Sequence, residues 1–177
     1  MTPPSKMSLL QTILPIARRL IEAWALAGGV LLLAVVLVVA WSMTANILLS
    51  APVPGDFEIV EVGVAVAVFA FLPYCQITGA HVTADIFTAH APPRVQAYLS
   101  ILASLVALFC GGLLLWRMAL GMGDFRTYEE VTTIYQFPLW MAFVPILVSL
   151  ALMNVAALIS LIEAIGPAGP SHRQAQT

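Results

Sequence analysis

Charged residues are scarce in this chain. Only 9% of its 177 residues are Asp, Glu, Lys or Arg, and 61% are hydrophobic, whereas a soluble domain has roughly 25% charged residues. A soluble domain of this size could not cover so much apolar surface within one core. The formal net charge of -2 excludes the strong positive field that is typical of nucleic-acid binding. The composition therefore predicts a protein whose apolar surface lies in a lipid bilayer.

Cysteine and histidine are also rare. Cys75 and Cys110 lie far apart in hydrophobic stretches, without the spacing of a redox or metal motif. The three histidines, His81, His90 and His172, fall outside the hydrophobic stretches, whereas a bis-histidine haem needs imidazoles that project from within the helices of a bundle. No Ser/His/Asp set or glycine-rich phosphate loop is present either. We therefore predict no catalytic residue, no metal site and no cofactor, and a protein that is not an enzyme.

Four long stretches of the chain are free of charge. They lie between Glu22 and Asp56, between Glu61 and His81, between Arg94 and Arg117, and between Glu130 and Glu163. A helix needs about 20 apolar residues to cross a bilayer, and continuous apolar runs favour helices over the alternating strands of a β-barrel. The sequence predicts an all-α membrane protein of one domain, residues 1–177, with spans at roughly 23–49, 58–79, 95–119 and 136–163. Residues 1–10 and 166–177 are predicted to be flexible tails.

The basic residues predict the orientation of these spans. If both termini are cytoplasmic, the inner segments contain Lys6, Arg18, Arg19, Arg94 and Arg173, and the outer segments contain only Arg117 and Arg126. Because Lys and Arg accumulate on the cytoplasmic side, both termini are predicted to lie inside.

Two connections contain candidate contact residues. Glu58 and Glu61 open the second span three residues apart, so they share one helix face. They are interpreted either as solvated acids of the first helical turn or as a contact with a partner, because Glu61 lies deep enough to prefer protein over lipid. Between the second and third spans, His81 and Asp85 are four residues apart and favour a short helix in the membrane interface. The alternative there is a polar hairpin that only connects two spans.

The fourth span begins with Pro138 and Trp140. Proline is well suited to the first turn of a helix, because its missing N–H would have no partner there. Tryptophan is typical of the membrane interface, so Trp140 is predicted to anchor the span at that level.

The middles of the spans carry no charged residue, although ion and proton pathways usually need one. This pattern predicts a protein that packs against a partner. Two alternatives remain: the haem- or quinone-binding membrane anchor of a respiratory enzyme, and an independent small exporter that works as a dimer.

The chain resembles the small membrane subunit (DctQ type) of tripartite ATP-independent periplasmic transporters, the TRAP transporters. The resemblance extends from about Trp24 to Glu163. It rests on Phe57-Glu58-x-x-Glu61, on Gly79-x-His81-Val82-x-x-Asp85, and on Phe137-Pro138-Leu139-Trp140 followed by Pro145.

The resemblance implies a subunit of a secondary-active importer of organic acids in the bacterial inner membrane. Its implied partners are a large permease subunit (DctM type), through which sodium coupling is expected, and a periplasmic solute receptor (DctP type). The small subunit would steady the permease, and Glu58, Glu61, His81, Asp85, Pro138 and Trp140 would be structural or subunit-contact residues. The transported substrate would be selected by the partners.

Overall fold

The computed structural model describes residues 4–50, 53–78 and 93–165. These residues form four long helices: α1 (Pro4–Leu49), α2 (Asp56–Thr78), α3 (Pro93–Thr127) and α4 (Trp140–Ile165). Each contains a segment long and apolar enough to cross a membrane. The prediction of an all-α protein with four spanning helices is confirmed.

The helices pack in the order α1, α2, α4, α3, because the main contacts join α1 to α2, α2 to α4, and α4 to α3. The largest completely buried side chains include Ile21 of α1, Pro73 of α2, and Ser149 and Leu150 of α4. Most other large apolar side chains on these helices are exposed. This is expected of a bundle whose surface faces lipid or a second membrane protein.

Small residues bring α1 and α2 close together. A Cβ atom placed on Gly28 would lie 2.6 Å from the Cβ of Ala70, and one on Gly63 would collide with a methyl group of Val35. Further along, the hydroxyl of Ser42 contacts the carboxylate of Asp56. The three contacts follow one another at seven-residue intervals, in opposite directions on the two helices. This spacing is typical of antiparallel helices that pack as in a left-handed coiled coil.

The contact between α3 and α4 also involves a glycine and paired aromatic rings. Gly111 lies against Asn154, whose side-chain nitrogen would be 3.2 Å from a Cβ placed on the glycine. The rings of Phe125 and Phe143 pack with their centroids 5.0 Å apart. Small residues at such positions allow membrane helices to approach closely, which increases their van der Waals contact.

The helix α1 is longer than the span predicted for it. Its 46 residues correspond to about 69 Å at 1.5 Å per residue, more than twice the ~30 Å thickness of a hydrocarbon layer. Residues 4–10 belong to this helix, and the mobility predicted for residues 1–10 stays a prediction. The predicted interfacial helix around His81 and Asp85, and the tail at 166–177, lie outside the described residues.

Candidate functional site

The polar residues of the described bundle are concentrated at the end where α1 finishes and α2 and α4 begin. We call this end the Asp56 end. It contains the end of α1 and the start of α2, residues 42–50 and 53–56, and the connection between α3 and α4, residues 128–139. Three side chains, Ser42, Asp56 and Glu58, hold these segments together.

Ser42 fixes the reversal from α1 into α2. Its hydroxyl donates to Oδ2 of Asp56 at 2.6 Å and accepts the backbone N–H of Val53 at 3.2 Å. The residue is only 2% exposed. The other carboxylate oxygen of Asp56 accepts the N–H of Phe57 at 2.7 Å. A buried serine therefore joins the last turns of α1 to the first turn of α2.

We expect Ser42→Ala to lower the free energy of unfolding by about 1–3 kcal/mol, because the N–H of Val53 and the carboxylate of Asp56 each lose a partner. Chemical unfolding in detergent micelles, followed by helical circular dichroism, measures the change. Thr44→Val is the matched control: the Thr44 hydroxyl donates only to the Ala40 carbonyl on the exposed surface of the same helix, so its loss should cost at most about 0.5 kcal/mol. Equal effects of the two variants would contradict a special role for Ser42.

Glu58 joins α2 to the connection between α3 and α4. Its two carboxylate oxygens accept the backbone N–H of Ile134 at 2.7 Å and that of Tyr135 at 3.1 Å. These residues are 76 and 77 positions further along the chain. Hydrogen bonds that an ionised carboxylate accepts are stronger than those between neutral groups. The predicted contact residue Glu58 thus has a contact within its own chain.

Gly55 lies next to this contact, against the side chains of Ile134 and Tyr135. Its backbone φ of +76° belongs to the left-handed region, which favours glycine. A Cβ atom on Gly55 would lie 2.5 Å from Cε2 of Tyr135. The connection between α3 and α4 is therefore held at the start of α2 in two ways: two of its backbone N–H groups donate to the Glu58 carboxylate, and the ring of Tyr135 packs on Gly55.

The connection between α3 and α4 folds back on itself. Val131 and Pro138 form an isolated antiparallel bridge, and the N–H of Thr132 donates to the carbonyl of Phe137 at 3.0 Å. Pro138, predicted at the start of the fourth span, takes part in this bridge and lies two residues before α4. Its carbonyl accepts the N–H of Met141 at 3.0 Å, so it still precedes the helix as part of a turn.

Trp140 is the first residue of α4. The guanidinium carbon of Arg126 lies 5.8 Å from the centre of its ring, within the range of a cation–π interaction. This contact ties the start of α4 to the last turn of α3.

Glu61 is exposed and does not take part in these contacts. Glu58 contacts the α3–α4 connection, and the contact of Glu58 and Glu61 with a partner subunit stays a prediction. The other two predicted contact residues, His81 and Asp85, lie outside the described residues. Among the residues that are described, no group of three or more His, Cys, Asp or Glu side chains is placed to hold a metal ion.

Sequence reasoning missed two polar contacts. One is the contact of Ser42 with Asp56 and Val53. In the sequence, this serine is distinguished only by its place at the end of a long apolar run. The other joins α1 to α4: Nε1 of Trp24 donates to the hydroxyl of Ser149 at 2.9 Å. That hydroxyl donates in turn to the carbonyl of Pro145 at 2.7 Å. A hydroxyl inside a membrane helix commonly donates to the carbonyl four residues earlier.

Residues 35–166 match the family model described as "Tripartite ATP-independent periplasmic transporters, DctQ component". The chain belongs to this family. The match begins inside α1 and includes α2, α3, α4 and the whole Asp56 end. No curated protein and no solved structure matched the chain.

Membership of the DctQ family makes this chain a TRAP transporter small membrane subunit. The family consists of transporter components and not of enzymes. It therefore supports the transport hypothesis over the alternative of a respiratory membrane anchor.

Proposed function

We propose that this chain is the small subunit of a sodium-driven importer of organic acids, such as dicarboxylates or related carboxylates, in the bacterial inner membrane. It steadies a large permease subunit of the DctM type, which moves the substrate. A periplasmic receptor of the DctP type delivers that substrate. Both termini lie in the cytoplasm, so the Asp56 end faces the periplasm.

The family match supports the transport role, and the close packing of the bundle supports the scaffolding part of this proposal. Gly28 against Ala70, Gly63 against Val35 and Gly111 against Asn154 leave no room for even one added carbon atom without movement of a neighbour. A subunit that moves a solute has to open a path between its helices, whereas closely packed interfaces resist continuous deformation. This bundle is suited to the fixed part of a transporter.

Reconstitution tests the proposal. The chain is co-expressed with the large permease, and the complex is purified by a tag on the permease and placed in liposomes. We expect uptake of a labelled carboxylate only with the receptor, with an inward sodium gradient, and with both membrane subunits present. Liposomes with either membrane subunit alone are the controls.

Two results would overturn the proposal. One is sodium-driven uptake by liposomes that contain this chain alone. The other is full uptake by the permease and receptor without this chain.

A further inference from the structure

The pairing of α1 with α2 fixes which residues lie at the same level. Val35 faces Gly63, and Ser42 faces Asp56. Glu61 comes two residues before Gly63, and the helices are antiparallel, so Glu61 lies level with Leu37 of α1. The carboxylate of Glu61 on α2 is thus at the same level as apolar residues of α1.

The surface of α1 at this level is apolar and exposed. Leu37 is 61% exposed and Trp41, one turn further on, is 69% exposed. The chain between Glu22 and Asp56 contains no charged residue. At the level of Glu61, α1 therefore presents a surface that is suited to an apolar environment.

The surface of α2 at the same level combines a carboxylate with apolar side chains. Phe57 and Val68 are exposed, as is Glu61. Their spacing of four and seven residues places all three on one helix face, on the side away from the buried Gly63, Ala67 and Ala70. We call these three residues the α2 stripe.

At this level, a purely lipid environment would favour the apolar side chains of α1 but not the carboxylate of Glu61 on α2. A charged side chain costs about 2.5–3.5 kcal/mol at the centre of a bilayer on insertion scales, and less towards its surface. Charged residues at such positions usually face protein and pair with an opposite charge. The α2 stripe has the composition of such a contact, with apolar side chains on both sides of one carboxylate.

We propose that a transmembrane helix of the large permease packs on the α2 stripe and places an Arg or Lys side chain against Glu61. This inference rests on the proposed function, because it names the surface through which that partner is held. It is distinct from the Glu58 contact, which is made within the chain.

Photo-crosslinking of the assembled complex tests the location. A photoreactive phenylalanine analogue is placed at Phe57 or Val68, and, as a control, at Phe109 of α3, which is 69% exposed. We expect a covalent product with the large permease from both positions of the stripe and none from the control position. Products with a second copy of this chain, or with lipid only, would overturn the proposal.

Charge reversal tests the partner's chemistry. We expect Glu61→Arg to lower the amount of co-purified permease by about tenfold or more, as loss of one member of a buried charge pair does. Glu130→Arg, which changes an exposed acid of the α3–α4 connection, should leave it unchanged. The yield and circular dichroism of the small subunit alone show whether each variant folds.

An undiminished complex with Glu61→Arg would overturn the proposed ion pair. If the unchanged chain fails to co-purify with the permease at all, the proposed function itself fails. Complex formation without crosslinks from the stripe removes only this inference.

Discussion

We expect Gly28→Leu to lower the free energy of unfolding by about 3 kcal/mol or more, at the upper end of the usual cost of overpacking. A Cβ atom at Gly28 would lie 2.6 Å from the Cβ of Ala70 and 3.5 Å from the backbone oxygen of Ala67. Neither atom belongs to a flexible side chain, so α1 has to move away from α2. The change is measured as the unfolding midpoint in detergent micelles and as the yield of monodisperse protein.

Gly29→Leu is the matched control. It introduces the same side chain one position along the same helix, where an added Cβ would meet only the ring tip of Phe71 at 3.8 Å. Replacement of a helical glycine also gains about 1 kcal/mol of helix propensity. We therefore expect Gly29→Leu to be neutral or stabilising, and equal losses from the two variants would refute the close approach at Gly28.

The sequence was sufficient for the spans because charged residues are excluded from the hydrocarbon layer. The limits of the charge-free stretches include Glu22, Asp56, Glu61, Arg94, Arg117 and Glu130. Each described helix covers most of one such stretch. The family could also be predicted, because the short motifs around Glu58, Glu61 and Trp140 lie within the region that matches it.

The pairing of the helices could not be predicted in the same way. In water, the polar face of a helix reveals which side is buried, but a membrane helix can be apolar on every side. Leu37 is exposed and Val35 is buried, although both are ordinary apolar residues. The available signal was the glycines: Gly28, Gly63 and Gly111 all lie where two helices approach closely.

The site at the Asp56 end was predicted only in part. Glu58 was predicted as a contact residue because it shares a helix face with Glu61 and belongs to a motif of the family resemblance, but the partners that the structure gives it are backbone N–H groups far along the chain. A backbone group carries no signature in the sequence. For the same reason, the sequence did not predict the backbone bridge between Val131 and Pro138, which precedes the start of α4 at Trp140.

The Glu58 contact gives the second prediction with a large expected effect. Glu58→Ala leaves the N–H groups of Ile134 and Tyr135 without their acceptor. We expect hydrogen exchange at these two amides to become about tenfold faster or more, because the connection opens without the rest of the bundle unfolding. Exchange measured by mass spectrometry on peptides covering 130–139 detects the change.

Glu130→Ala is the control for this measurement, because it removes an exposed acid from the connection itself. The backbone carbonyl of Glu130, which accepts the N–H of Leu139 at 3.1 Å, is unchanged by the substitution. Glu58→Gln separates geometry from charge: a side-chain amide has one acceptor oxygen, so it can replace the carboxylate at only one of the two N–H groups. We expect its exchange to lie between those of the unchanged chain and Glu58→Ala. Unchanged exchange at both amides in Glu58→Ala would show that the ring of Tyr135 packed on Gly55 holds the connection by itself.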